Sequence, residues 1–172
     1  LVGCNHYSMK NMNYDTVVID EAGQGIEPAC WIPILKGKKL ILAGDHCQLP
    51  PTIKSQEASA KGLSNTLLEK LTVKYPEAVT LLQTQYRMNE QIMAHSSKTF
   101  YGNLLKAHES VAKHKLSAAH PAIQFIDTAG CGFEEKLEGT SSTNPEEAAF
   151  LVKRLEELVN DFVKTTMPSI AV

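Results

Sequence analysis

The sequence predicts an α/β fold built on a parallel sheet with flanking helices. Two short apolar runs without polar alternation, Thr16–Ile19 and Leu40–Ala43, suit strands buried on both faces. Each is followed at once by an acid, Asp20-Glu21 after the first and Gly44-Asp45 after the second. Helix signals alternate with these runs, which is the pattern of a parallel α/β architecture.

Taken in order, the first strand is followed by a short helix expected over Pro28–Leu35, with Pro28 in its first turn and Pro33 blurring its far end. The second strand precedes a helix expected over 64–74, with Ser64 as its cap and Leu63, Leu67, Leu68 and Leu71 as its apolar face. Val79–Leu82 is expected to be a further strand. Asn89 should cap a helix running to about Phe100, with Ile92, Met93 and Phe100 facing inward. Residues 102–121 are polar, rich in Lys and His, and aperiodic, so irregular structure is expected. Ala122–Ile126 is a strand candidate, and the Gly, Ser, Thr and acidic residues of 129–143 predict a flexible loop. Asn144-Pro145-Glu146-Glu147 is a strong helix start: a cap, a proline at the first position and acids in the first turn. Leu151, Leu155, Leu158 and Phe162 should line the buried side of that helix, expected over 144–163. A last strand is expected from near Ser169. Because that strand runs into Val172, and Leu1 is not a methionine, the chain is expected to be a piece of a longer protein.

Composition sets outer bounds. The chain has 172 residues, 43% hydrophobic and 21% charged, with a net charge of −2, ordinary values for a globular protein able to bury a core. Residues 1–85 hold eight Lys/Arg against eight Asp/Glu, and residues 86–172 nine against eleven. A nucleic-acid surface must therefore be a local patch. Cys4, Cys30, Cys47 and Cys131 form no C-x-x-C pair, which disfavours a zinc knuckle or a disulfide framework. His6 near Cys4 and His46 beside Cys47 are the hints of metal ligation, and ordinary placement accounts for both. No apolar run nears the roughly 20 residues of a membrane span, and no leader segment is visible. A reducing, cytoplasmic compartment is expected.

Three clusters carry chemistry. Asp20-Glu21-Ala22-Gly23-Gln24 follows a strand, where ligands bind in open parallel sheets. Adjacent acids there can divide labour, one holding Mg²⁺ and the other orienting and deprotonating an attacking water. In Gly44-Asp45-His46-Cys47-Gln48-Leu49-Pro50-Pro51, Gln48 is a neutral donor that can bond a γ-phosphate oxygen or the attacking water, and the Pro-Pro turn stiffens the chain beyond it. In Gln85-Tyr86-Arg87-Met88, arginine can stabilise a transferring phosphoryl group and tyrosine offers a flat face to a base. Glu147 is placed to close a capping box with Asn144, which alone explains it.

The ordered set Asp20-Glu21-Ala22-x-Gln24, Gly44-Asp45-x-x-Gln48-Leu49-Pro50-Pro51 and Gln85-Tyr86-Arg87-Met88 resembles motifs II, III and IV of superfamily-one DNA and RNA helicases. The nearest branch contains the nonsense-mediated-decay and immunoglobulin mu-binding helicases. The resemblance continues through Ile32-Pro33-Ile34-Leu35, Gly62-Leu63-Ser64, Phe100-Tyr101-Gly102 and Ser141-x-x-Asn144-x-x-Glu147-Ala148. It implies a RecA-like P-loop NTPase (AAA) motor of two lobes with ATP in the cleft. Residues 1–85 would then be the C-terminal part of the first lobe and residues 86–172 the N-terminal part of the second. It further implies Asp20 as the Mg²⁺ acid, commonly through a water, and Glu21 as catalytic base. Gln48 would couple γ-phosphate to nucleic acid, Asp45 would lie at the nucleotide, Tyr86 would stack on adenine and Arg87 would contact the γ-phosphate. Single-stranded nucleic acid or a duplex junction would be the partner, with movement 5′ to 3′. Gly23 stands where alanine, serine or cysteine is common in the family, and Asn89 where histidine is common.

No G-x-x-x-x-G-K-[ST] run occurs: at Gly37-Lys38, Ile32 replaces the first glycine and Lys39 the Ser or Thr. The chain alone is therefore expected to be inactive. Two rivals stand beside this reading. Asp127-Thr128-Ala129-Gly130 resembles a small-GTPase switch, though no Asn-Lys-x-Asp follows. A catalytically silent helicase-derived module for binding nucleic acid or protein is the other, although Asp20, Glu21, Gln48 and Arg87 are all present.

Overall fold

A computed structural model describes residues 1–162 and 166–171 of the chain. It divides into two compact units, residues 1–82 and 83–172.

In the first unit, a 3₁₀ turn at Val2–Asn5 leads to β1 (Tyr14–Ile19), helix α1 (Glu27–Ile34) and β2 (Gly37–Leu42). β1 and β2 pair in parallel, with Val17 opposite Leu40 and Ile19 opposite Leu42. Parallel neighbours need a crossover, and α1 supplies it. Pro28 sits in its first turn as expected, and Pro33 is accommodated inside it. A single turn α2 (Gln56–Ala58), a wider turn at Ser59–Leu63 and helix α3 (Leu67–Lys74) follow. Thr66, not Ser64, caps α3, its side chain accepting from the Glu69 N–H at 3.2 Å. Ser64 instead closes the preceding turn.

The core of this unit joins Val17, Ile19, Ala22, Cys30, Leu67 and Leu68, with Tyr14, Ile34, Leu40, Leu42 and Leu71 packed around them. Only one face of the sheet is covered: Val17 and Ile19 are buried while Val18 is 61% exposed, and Ile41 on β2 is also exposed. Burial on both faces, expected from the unbroken apolar runs, is thus not what these residues show. Side chains alternate across a strand, and no described element packs over the second face. Val79 is extended, but Val79–Leu82 has no ladder partner and forms no strand. A β-rich sequence supplies the conformation, whereas a strand also needs a hydrogen-bonded neighbour.

In the second unit, β3 (Thr84–Gln85) pairs in parallel with β4 (Lys106–Ala107). Helix α4 (Glu90–Phe100) lies between them in sequence, capped by Asn89, whose side chain accepts from the Gln91 N–H at 2.8 Å. Met93 is its buried apolar residue; Ile92 and Phe100, expected inside, are exposed. Helix α5 (Glu109–Ala112) gives the 102–121 stretch more order than its aperiodic sequence suggests. The 129–143 stretch, expected to be a flexible loop, holds an antiparallel hairpin of β5 (Lys136–Glu138) and β6 (Ser141–Thr143). Gly139, at a φ of 66°, makes its turn. Ala122–Ile126 forms no strand.

Helix α6 (Pro145–Asn160) begins where the cap, proline and acids place it, with the Asn144 side chain accepting from the Glu147 N–H. The capping box stays half made, because the Glu147 carboxylate accepts from the Thr128 hydroxyl at 2.6 Å instead. None of its residues is fully buried, and Leu151 is exposed, so the expected inner face is only partly covered. Phe162 does find a partner, stacking on His120 at 5.5 Å. The expected end of the helix at 163 lies outside the described residues. Ser169–Ala171 carry no strand, and Val172 lies outside the described residues. No described helix is long and apolar enough to cross a membrane.

Candidate functional site: two acidic strand ends and a Tyr-Arg turn

The parallel pairing brings the ends of β1 and β2 side by side. The Ala43 N–H donates to Ile19 O and the Ala22 N–H to Ala43 O, both at 2.9 Å, carrying the ladder past the strands themselves. Ala22 and Gly23 are buried, while Asp20 and Glu21 stand exposed beside them. The anchor is backbone on backbone. A Cβ added at Gly23 would lie 2.5 Å from the Asp45 carbonyl oxygen, and one at Gly44 would lie 2.8 Å from the Ala22 nitrogen.

Glu21 adopts left-handed backbone angles, φ 53° and ψ 37°, which cost an L-residue about 1–2 kcal/mol. Strain of this kind collects at functional sites. Asp20 relieves the turn by accepting from the Glu21 N–H through Oδ1 at 2.9 Å. The Glu21 carboxylate in turn accepts from the Gln24 amide at 3.2 Å.

At the second strand end, Asp45 is half-buried and its carboxylate organises the loop. Oδ1 accepts from the Cys47 N–H and Oδ2 from the Gln48 side-chain amide, both at 2.9 Å. Gln48 is exposed, and Pro51, two residues beyond Leu49, is buried and pins the turn. Asp45, His46 and Cys47 hold one possible metal-ligating atom each within 4.8 Å of one another, but both oxygens of Asp45 already accept hydrogen bonds. Burial and the Asp45 carboxylate push the Cys47 thiol above its usual range, which disfavours the thiolate a metal would take. His6 has a local partner, Ser8 Oγ at 2.8 Å from Nδ1.

In the second unit, Tyr86 and Arg87 project from the turn between β3 and α4. Tyr86 is 65% exposed, with its ring stacked on His108 at 4.4 Å between centroids. The Arg87 side chain is exposed. Asp127 accepts from the Ala129 N–H, and Thr128 is taken up by Glu147, so the Asp-Thr-Ala-Gly stretch is a self-satisfied turn.

The structure therefore groups Asp20, Glu21, Asp45 and Gln48 on one rim of the first unit, and Tyr86 with Arg87 on one turn of the second. Sequence reasoning placed Gln85 in its motif without giving it a role, and it missed His108. Gln85 accepts from the Arg87 and Met88 N–H groups and donates to Met88 O. Its place at the end of a strand, just before an exposed pair, is the one signal that could have singled it out. His108, 22 positions beyond Tyr86, had no local signal.

Comparison with known proteins gives concordant matches. One family model described as an AAA domain matches residues 1–56, and a second of the same description matches residues 63–172. An uncharacterized ATP-dependent helicase of Methanocaldococcus jannaschii is 42% identical over 94% of this chain and 25% of its own length. The DNA-binding protein SMUBP-2 of Rattus norvegicus is 42% identical over 86% of this chain and 16% of its own. The helicase sen1 of Schizosaccharomyces pombe is 36% identical over 88% of this chain and 9% of its own. The chain spans a quarter or less of the length of these curated relatives.

Proposed function

The chain belongs to the AAA-domain family of superfamily-one helicases, and from that premise we propose that it carries part of the machinery of an ATP-dependent nucleic-acid helicase. The parent protein couples ATP hydrolysis to movement along DNA or RNA, 5′ to 3′, and to unwinding. Residues 1–85 and 86–172 are its two lobe portions. The observation that best supports this reading is the joining of two acidic strand ends, through the Ala22–Ala43 hydrogen bond and the Gly23–Asp45 contact.

The donor set suits Mg²⁺. Asp20 and Glu21 offer exposed carboxylate oxygens, hard ligands for a cation that keeps much of its water. Asp20 already uses Oδ1 to hold the Glu21 N–H, which leaves Oδ2 for a hydrated ion. When bound, the ion neutralises charge on the terminal phosphates. Glu21 then orients the attacking water and takes its proton. Its neighbour Gln24, donating to Oε2, holds the carboxylate in reach.

Gln48 is the sensor. Its amide donates to Asp45, and a γ-phosphate oxygen would compete for that donor. Asp45 still holds the loop through its bond to the Cys47 N–H. Tyr86 receives adenine on its exposed face, and Arg87 stabilises the transferring phosphoryl group. Single-stranded nucleic acid or a duplex junction is the partner, and a cytoplasmic compartment is the placement that suits four cysteines without paired spacing.

The phosphate cradle is assigned to other parts of the parent protein, because residues 1–172 hold no P-loop sequence. In the full-length protein, Glu21→Gln should lower nucleic-acid-stimulated ATP turnover by about 10²–10⁴-fold, the usual contribution of a general base, while nucleotide binding persists. Unchanged turnover would sink the assignment of Glu21. The 172-residue chain alone should release no phosphate from ATP; stimulated release by a preparation free of contaminating ATPase would overturn that part.

A further inference from the structure

We propose that Gln85 is the positioning residue for the Tyr86–Arg87 pair, its side chain bracing the turn that carries both while its main chain ties that turn to His108, just past β4. The proposal rests on the nucleotide roles given above to Tyr86 and Arg87.

Three hydrogen bonds leave one side-chain amide. Oε1 accepts from the Arg87 N–H at 2.8 Å and from the Met88 N–H at 2.7 Å, and Nε2 donates to Met88 O at 2.7 Å. These bonds close a ring over the three residues that lead from β3 into α4. Gln85 is half-buried, whereas Tyr86 and Arg87 on the same turn are exposed. An exposed arginine on an unbraced turn would sample many backbone conformations, and ordering it at the moment of reaction would cost entropy. With its amide already held, the Arg87 stem starts from one direction.

The main chain of Gln85 adds a second tie. Its carbonyl accepts from the His108 N–H at 2.9 Å, and Gln85 stands opposite Ala107 in the β3–β4 pair. That bond sets His108 beside the turn, and the His108 ring stacks on Tyr86 with planes 29° apart. One face of Tyr86 is thereby occupied by protein, leaving the other to a base. A single residue thus governs both neighbours, the arginine through its side chain and the tyrosine through the strand pairing.

The chemistry requires an amide. Two N–H donors need an acceptor, and one carbonyl needs a donor, within the reach of the same side chain. Glutamate keeps both acceptors but points a carboxylate at Met88 O and sets a negative charge two residues from Arg87. Methionine keeps the length and loses every bond. Asparagine is one methylene too short.

The test has two arms. In the 172-residue chain, Gln85→Met should speed amide exchange at Arg87 and Met88 by at least about fivefold, the effect of one lost net hydrogen bond. Gln85→Glu sets a carboxylate oxygen against Met88 O in place of the donor, so it should also protect those two amides less than the parent chain does, and it serves as the second variant if Gln85→Met does not fold. In the full-length helicase, Gln85→Met should raise KM for ATP and lower kcat. Adding it to Arg87→Ala should cost less than the product of the two single effects, because a residue acting through another is not additive with it. Protected Arg87 and Met88 amides in Gln85→Met, or in Gln85→Glu where Gln85→Met does not fold, would refute the brace. Full additivity with Arg87→Ala would reduce Gln85 to a purely structural residue and overturn the proposal. An Arg87→Ala enzyme with unaltered turnover would remove the role of Arg87 itself, and the positioning role with it, whatever the exchange rates show.

Discussion

Gly23 stands where the family resemblance leads one to expect alanine, serine or cysteine, a difference of one small side chain. Its surroundings make that difference consequential. A Cβ there would press to 2.5 Å on the Asp45 carbonyl oxygen, a backbone atom that cannot swing aside as a flexible side chain can. Gly23→Ala should therefore destabilise the first unit by about 1–3 kcal/mol, the usual cost of overpacking, in urea unfolding of the chain. Gly3→Ala, where nothing lies within 4 Å of the new atom, should leave the midpoint unchanged. Equal midpoints for the two variants would show that the loops can part freely. The placement of Asp20, Glu21 and Asp45 just past strand ends was legible in the sequence, because acids directly after apolar runs mark such ends. Their support was not. The left-handed angles of Glu21 and the grip of Gln85 depend on three-dimensional closure that no local spacing encodes.

Helices α1 and α3 are held together by a small polar knot. Glu27 accepts from the Trp31 indole at 3.2 Å through Oε1 and from the Lys70 ammonium at 2.6 Å through Oε2. The bond from Lys70, then that from Trp31, hold the Glu27 carboxyl below its ordinary 4.5. A carboxyl with a lowered folded-state value adds stability that is complete above its ordinary value and disappears as pH falls through the folded one. Glu27→Gln should thus be less stable than the parent chain at neutral pH, and the gap should close as pH drops from above 4.5 through that lowered value. Thermal unfolding across this range reads it. Lys70 is half exposed, so solvent screening keeps the gap small. Among the elements, the helices were more legible than the strands. Asn89, Asn144 and Pro28 announce helix starts by chemistry that acts within one turn. Thr66 displaced the expected cap Ser64 because Gly62, at a φ of 93°, bends the chain just before it. Val79–Leu82 and Ala122–Ile126 have strand composition, but a strand is a property of two segments. The β5–β6 hairpin escaped notice because its polar strands bury nothing that would leave a periodic trace.

Across the whole chain, the apolar core is unevenly shared. Val17, Ile19, Ala22, Cys30, Leu67 and Leu68 form a buried cluster in the first unit. In the second, Met93 is the buried hydrophobic among the described residues, accompanied by the polar Asn89 and Ser97. Burial of a large apolar side chain contributes about 1.5–3 kcal/mol, so the two units should differ in local stability. Hydrogen exchange followed by mass spectrometry should show β1 and β2 protected longest, with β3, β4 and the β5–β6 hairpin exchanging earlier. Uniform protection across both units would contradict this. The α/β class was legible at this scale from the alternation of strand and helix signals. The uneven core was not, because Leu151, Val152, Ile123 and Phe125 are as apolar as the buried residues and yet exposed.

The parallel pairing of β1 with β2 also sets the order in which the chain can assemble its chemistry. A hairpin would register two neighbouring strands early, through a tight turn. Here the chain must first run from Ile19 through α1 and back to Gly37, and the loop-closure entropy precedes any reward from the sheet. The Ala22–Ala43 hydrogen bond and the Gly23–Asp45 contact exist only after that closure. The strand ends that carry Asp20 and Asp45 therefore come together late on the folding path and part early when the crossover opens. A partly folded chain holds every residue of the rim and none of its geometry.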